Sequence, residues 1–127
     1  MYTGTREELL EVCRLVYDRH LTNAAGSNFS VRASENTFYL TPTGNAKHTR
    51  LHMSADDLLH VDSTGRIIEG KGDLSVSWAT HLKIYQTFDY VGAVIHAHPR
   101  IATIFACQEE PTTPMPPLMD AMKKYGD

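Results

Sequence analysis

The spacing of apolar residues predicts two amphipathic helices. Across residues 5 to about 20, apolar side chains recur every three or four positions, which gives a helix one stripe to bury. The sequence Thr5-Arg-Glu-Glu8 has the form of a capping box, so this helix should begin there. Residues 78 to about 88 repeat the spacing, and Ser77 precedes them as the predicted N-cap.

Short runs of strand-forming residues separate and follow these helices. Residues 29–32 and 37–41 flank a polar turn, as do residues 60–62 and 66–69, so each pair predicts a β-hairpin. After Pro99, apolar residues return at helical spacing. The pattern therefore predicts hairpins with helices beside them.

One further strand carries candidate chemistry, in the segment Gly92-Ala-Val-Ile-His96-Ala-His98-Pro99. Side chains alternate along a strand, so His96 and His98 should point to the same side. Two adjacent imidazoles suit a divalent transition metal such as zinc. The alternative to a metal site is two histidines at a strand end, each hydrogen-bonded to a carbonyl.

Composition and charge narrow the function classes. The 127 residues suit a single domain. The net charge is −3 and no basic run is present, so the charge gives no reason to expect binding to nucleic acid or to an anionic membrane. No apolar run approaches the ~20 residues that span a bilayer, and the N-terminus lacks the apolar core of a signal peptide. Cys13 and Cys107 stand far apart, which predicts a cytoplasmic protein with reduced, buried thiols.

Three loops are rich in small and polar residues, at 22–28, 42–45 and 70–77. Small residues let the backbone approach a ligand closely, and serine, threonine and asparagine add hydrogen-bonding groups. In the second loop, Gly44 permits positive φ, and the amides beside Thr43 could hold an anion. Taken alone, such a loop is more often only a turn.

Taken together, these loops and the histidine pair resemble the class II aldolase/adducin family, which includes sugar-phosphate aldolases and epimerases. The resemblance runs from the first helix to about Cys107. It rests on four segments in the family's order: Gly26-Ser-Asn28-Phe-Ser30-Val-Arg32, Leu40-Thr-Pro-Thr43-Gly44, Ser75-x-x-Trp78-x-x-His81 and Val94-Ile-His96-Ala-His98.

The resemblance implies an α/β fold, a three-layer α/β/α domain with a mainly antiparallel central sheet. We expect residues 1–127 to form a single domain of this kind that lacks the family's C-terminal part, because family members generally run longer. Sugar-phosphate members form cyclic tetramers with active sites between subunits, so we also expect a homo-oligomer.

The resemblance assigns substrate binding to the three loops. In the aldolase members, the counterparts of these loop residues bind the substrate phosphate, which implies a small sugar phosphate or similar ligand. The matching positions here are Ser27, Asn28, Thr43, Gly44 and Ser75. Two positions depart from the pattern, since Ser27 replaces a glycine and Val76 replaces a second serine.

The resemblance also assigns His96 and His98 as two of the family's zinc ligands. Zinc acts there as a Lewis acid that stabilises an enediolate during carbon–carbon cleavage. The family's third histidine would lie beyond residue 127. The family's catalytic glutamate, which precedes the tryptophan, is Ser77 here, and Asp73 is the nearest acid that could substitute for it.

Two function classes follow. The first is a zinc-dependent lyase acting on a small, phosphorylated hydroxycarbonyl compound, impaired by Ser77. The second is a non-catalytic, adducin-like member that keeps the fold for assembly or binding. Metal content is the observation that discriminates between them.

Overall fold

A computed structural model describes residues 3–107 of the chain. Four helices, five strands and one 3₁₀ turn make up this part. In chain order they are α1 (Arg6–Asp18), β1 (Asn28–Arg32), β2 (Thr37–Leu40), α2 (Asn45–Thr49), the 3₁₀ turn (Ala55–Asp57), β3 (Leu59–Asp62), β4 (Ile67–Glu69), α3 (Trp78–Thr87), β5 (Ala93–His96) and α4 (Arg100–Ala106).

The five strands form one sheet in the order β4-β3-β2-β1-β5, and every neighbouring pair is antiparallel. Both predicted hairpins, β1-β2 and β3-β4, are present with boundaries within one residue of those expected. Strand β5 joins the sheet beside β1, with Asn28 opposite His96 and Ser30 opposite Val94. This register places the histidine segment next to the first small-residue loop.

Helices cover both faces of the sheet, and strand β1 shows why. All five of its residues are buried, as expected only for a strand covered on both faces. Phe29 and Val31 pack in the cluster that includes the apolar stripe of α1. Ser30 contacts α3 on the opposite face. The prediction of a three-layer, mainly antiparallel α/β/α fold is confirmed.

The α3 face holds an aromatic cluster and a buried arginine. Phe38 stacks on Tyr85 with ring centroids 4.5 Å apart, and Trp78 meets Phe38 edge-on at 5.5 Å. The guanidinium of Arg32 lies 4.8 Å from the Tyr85 ring centroid and donates to three backbone carbonyls, those of Glu35, Tyr85 and Val91. These bonds compensate for burying its charge.

The N-termini of α1 and α3 differ in whether a side chain caps them. At α1 the capping box is present, because Thr5 Oγ1 accepts from the Glu8 amide at 3.2 Å and Glu8 Oε2 accepts from the Thr5 amide at 2.7 Å. At α3, Ser77 is the N-cap residue as predicted, but without the side-chain bond of a cap. Ser77 has helical backbone angles and its side chain makes no capping bond, so its hydroxyl is left for other contacts.

The region after β5 departs from the expectation of burial. Helix α4 forms as predicted, but each of its seven residues is exposed, with Ile101 71% accessible. The expectation of buried thiols holds for Cys13 and is wrong for Cys107, which is exposed at the end of α4. No helix within residues 3–107 is long and apolar enough to cross a membrane.

Candidate functional site

Three small-residue loops and the histidine segment meet at one end of the sheet, around a cavity of about 420 Å³. The loops precede β1, α2 and α3 respectively. Because β1 and β5 are antiparallel neighbours, the start of β1 lies beside the end of β5. The cavity is lined by all the predicted substrate-binding residues and both histidines: Ser27, Asn28, Thr43, Gly44, Ser75, His96 and His98.

The two histidine rings face each other, although only His96 belongs to β5. Their Nε2 atoms lie 3.2 Å apart and their ring centroids 4.9 Å apart. The backbone amide of His98 donates to Thr22 Oγ1 at 3.1 Å, which ties the segment to the first loop. A Cβ at Gly26 would come within 3.1 Å of His98 Cε1, so glycine gives this ring its space.

The separation of the Nε2 atoms suits a shared metal ion. Two nitrogens bound to one tetrahedral zinc ion at ~2.0–2.1 Å lie ~3.3 Å apart. The Asn28 amide nitrogen lies 3.1 Å from His96 Nδ1 and can only donate, so a neutral His96 carries its proton on Nε2. A metal bound at Nε2 needs the lone pair of that nitrogen, so the proton of the neutral ring would sit on Nδ1 and the Asn28 amide would turn to accept it through Oδ1.

A third protein ligand is absent from the part of the chain that the structure describes. No group of three His, Cys, Asp or Glu side chains there is arranged to hold a metal. His48 lies beside Gly44, where a Cβ would meet its ring at 3.1 Å. The two histidines therefore fit half of a tetrahedral site, and the rest would come from water, substrate or a further protein group.

The part of the cavity wall formed by the small-residue loops suits an anion. Gly44 has φ +74°, a left-handed conformation that favours glycine. The Thr43 amide donates to the backbone oxygen of Asp73 at 2.9 Å, which holds the second loop against the third. Ser27 Oγ is buried and has no hydrogen-bond partner within residues 3–107, so its hydroxyl remains available for a ligand. Lys47 adds a positive charge to this wall.

Of the two predicted catalytic residues, Ser77 and Asp73, only Ser77 lines the cavity. Ser77 lines the main cavity and also an adjoining one of about 290 Å³ that it shares with Thr80, His81 and His96. Asp73 lines neither cavity and contributes its backbone oxygen to the loop contact. Within residues 3–107, no carboxylate lines either cavity.

A buried hydrogen-bond network supports the floor of the site. Ser30 Oγ lies 2.7 Å from His81 Nδ1 and 2.8 Å from the Tyr85 hydroxyl. Burial, with a smaller contribution from the charge of His96, lowers the pKa of His81 to about 4. Burial raises the pKa of Tyr85 to about 12. Both groups are therefore neutral near pH 7 and act as hydrogen-bonding groups.

Two features of the site escape prediction from the sequence. Lys47 follows Gly44 by three residues, and only this proximity to a ligand-binding loop could have indicated it. Ser30 and His81 both lie in the segments that predicted the site, but they are 51 residues apart. Their contact depends on which face of β1 packs against α3.

Comparison with known protein families matches residues 7–127 to the class II aldolase and adducin N-terminal domain. Among curated relatives, an L-fuculose phosphate aldolase of Methanococcus maripaludis is 36% identical over 103 residues, covering 81% of this chain and 54% of that protein. A methylthioribulose-1-phosphate dehydratase of Pseudomonas syringae pv. tomato is 33% identical over 100 residues, covering 79% of this chain and 48% of that protein.

Solved structures agree with the sequence relatives. An L-fuculose 1-phosphate aldolase structure matches with a TM-score of 0.71 and 31% identity, over 83% of this chain and 50% of that one. The chain thus spans about half the length of the relatives it matches.

Proposed function

The chain belongs to the class II aldolase and adducin family, and we propose that its cavity serves a metal-dependent lyase acting on a small phosphorylated sugar. One observation carries this proposal. The paired Nε2 atoms of His96 and His98 border the same cavity as the Thr43–Gly44 loop. A metal ion held by the histidines and an anion held by the loop would therefore share one cavity, which is the arrangement that this proposal needs.

The relatives support the class of ligand. The names of both curated relatives specify a phosphorylated sugar or sugar derivative, one cleaved by an aldolase and one dehydrated. Phosphate is the group that these ligands share. In this chain, Ser27, Thr43, Gly44 and Ser75 supply the hydroxyls and backbone that would hold it.

The histidine pair would hold a divalent metal ion, which we propose to be zinc. When bound, this ion acts as a Lewis acid for the negative charge that develops on the substrate oxygens. Asn28 orients the His96 ring through its 3.1 Å contact with Nδ1. Its Oδ1 is buried without a partner among the described residues, and with the amide turned it would accept from His96 Nδ1–H when a metal is bound at Nε2.

Proton transfer is the step for which the described cavity is poorly equipped. Ser77 stands at the position of the family's catalytic glutamate. A serine hydroxyl cannot replace that carboxylate as a general base at neutral pH. Asp73 could serve only if its side chain turned towards a cavity that it does not line. We therefore propose a scaffold competent for ligand binding whose lyase rate is low.

The test is direct. The zinc-loaded chain is mixed with L-fuculose 1-phosphate, and binding and cleavage are measured separately. We expect saturable binding with slow cleavage. Absence of both binding and cleavage would overturn the lyase proposal.

The second candidate is a non-catalytic, adducin-like binding or assembly module. It is favoured by the lack of a cavity carboxylate and of a third metal ligand among residues 3–107. Such a module has no requirement for metal. A chain that retains no zinc under saturating conditions would favour this reading.

A further inference from the structure

The main cavity has one positive side-chain charge, Lys47, and no negative one among the described residues. Within residues 3–107, its ionisable side chains are Lys47, His96 and His98, and none is acidic. The whole chain carries a net charge of −3, so this local excess of positive charge runs against the overall balance. Such a concentration of one sign attracts ligands of the opposite sign.

Lys47 has no ion-pair partner in the described part of the chain. The ion pairs found there join Arg6 to Glu69, His52 to Asp18 and Arg66 to Asp62. Lys47 itself is exposed on α2 at the border of the cavity. Its charge is thus available to a ligand without first breaking a contact within the protein.

One exposed residue of the cavity lining offers an anion no donor. Val76 lines the cavity and is 97% exposed. A valine side chain donates no hydrogen bond. The Lys47 ammonium, which borders the same cavity, can give an anion the charge-assisted contact that this residue does not.

We propose that Lys47 is the specificity-determining cation of this cavity, pairing with the phosphate of the ligand and selecting phosphorylated over neutral compounds. The inference rests on the proposed function, because it concerns the same site. It adds a residue that lies outside the four segments carrying the family resemblance. Its charge, more than hydrogen bonding by the loops, sets the preference for a dianion.

The test uses the 127-residue chain and inorganic phosphate as the probe. Binding is followed at about pH 8, where a phosphate is mainly dianionic, by changes in the ¹⁵N–¹H spectrum. The amides of Gly26 and Gly44 report whether phosphate enters the cavity. The variants are Lys47→Met, Lys47→Arg and, as a matched charge control, Lys83→Met, which alters an exposed lysine of α3 outside the cavity lining.

We expect Lys47→Met to weaken phosphate binding about threefold to fivefold, the upper part of the range for an exposed charge pair. Lys47→Arg should stay within about twofold of wild type, and Lys83→Met should match wild type. Equal binding by Lys47→Met and Lys83→Met would overturn the role of Lys47 and leave the phosphate site standing. If the wild type shows no shift at Gly26 or Gly44, both the site and the inference fail.

Discussion

The Nε2 atoms of His96 and His98 lie 3.2 Å apart, one at the last residue of β5 and the other two residues beyond it. The strand alone does not hold both rings. Asn28 contacts the far side of the His96 ring, while Thr22 accepts from the backbone amide of His98. The first small-residue loop therefore orients the pair from both sides.

Removing the hydroxyl of Ser30 should destabilise the fold. Ser30 is fully buried and bridges His81 and Tyr85, so Ser30→Ala leaves two buried polar groups without this partner. The expected loss in free energy of unfolding is about 1–3 kcal/mol, measured by urea denaturation. The exposed Ser34→Ala is the control and should change the free energy by less than ~0.5 kcal/mol.

His81 should make stability depend on pH in a defined window. Its pKa is lowered from 6.5 to about 4 in the folded chain, so the unfolded chain binds more protons between these values. The stabilisation from neutral, buried His81 is therefore complete above about pH 6.5 and declines as the pH falls towards 4.

Urea denaturation at several pH values, with a chelator present, measures this effect. In His81→Gln the free energy of unfolding should change less with pH between 4.5 and 6.5, since glutamine does not titrate. The lowered pKa values of Asp57, Asp62 and Glu69 also add acid sensitivity, but at lower pH. If the free energy of unfolding of His81→Gln changes with pH as steeply as that of the wild type, groups other than His81 cause the loss of stability between pH 4.5 and 6.5.

Much of the site was predictable because its features are local in sequence. Period-two alternation placed His96 and His98 together, and the first and third small-residue loops precede a predicted strand and a predicted helix, whereas α2 after the second loop was not predicted. The antiparallel register of β1 with β5 then brings these loops to the histidines. That pairing joins Asn28 to His96, 68 positions apart, so it is not a hairpin and nearby residues do not specify it.

The features that were missed depend on long-range packing. The spacing of Ile101, Ile104 and Phe105 predicted a helix correctly, but spacing alone does not identify what covers an apolar stripe. Cys107 is exposed because it follows that uncovered helix. Lys47, in turn, has the sequence signature of any solvent-facing lysine, and only the folded loops place it at the cavity.

Introducing a carboxylate at Ser77 should raise catalysis. The Ser77 side chain lines both cavities and caps nothing, so Ser77→Glu adds a candidate general base without removing a helix cap. General acid–base groups contribute ~10²–10⁴-fold to rate. With zinc supplied and L-fuculose 1-phosphate or L-ribulose 5-phosphate as substrate, wild type should be inactive or very weak and Ser77→Glu measurably faster.

The control for this experiment is Ser34→Glu, which places the same charge on an exposed turn away from the cavity. It should leave the rate at the wild-type level. Robust turnover by the wild type would refute the assignment of Ser77 as the limiting departure.

The chain should associate in solution. Within the described residues, β5 pairs only with β1, and α4 exposes Ile101, Ile104 and Phe105. Exposed strand edges and apolar patches favour protein–protein contacts. Light scattering at micromolar concentration should give a mass above that of a monomer.

Ile101→Asp should shift that mass towards the monomer, because it places a charge on the exposed face of α4. Leu21→Asp, at an exposed position in the loop after α1 and away from both sheet edges, is the matched control and should have no effect. A monomeric mass for the wild type would contradict this prediction.

The most direct test of the central claim is zinc binding by the chelator-treated chain, measured by calorimetric titration. The account predicts one zinc ion per chain for the wild type and for His52→Ala, whose ring pairs with Asp18 away from the cavity. His96→Ala and His98→Ala should each weaken binding at least tenfold, because each removes one of two protein ligands. Equal zinc binding by His96→Ala and wild type, or no binding by either, would contradict it.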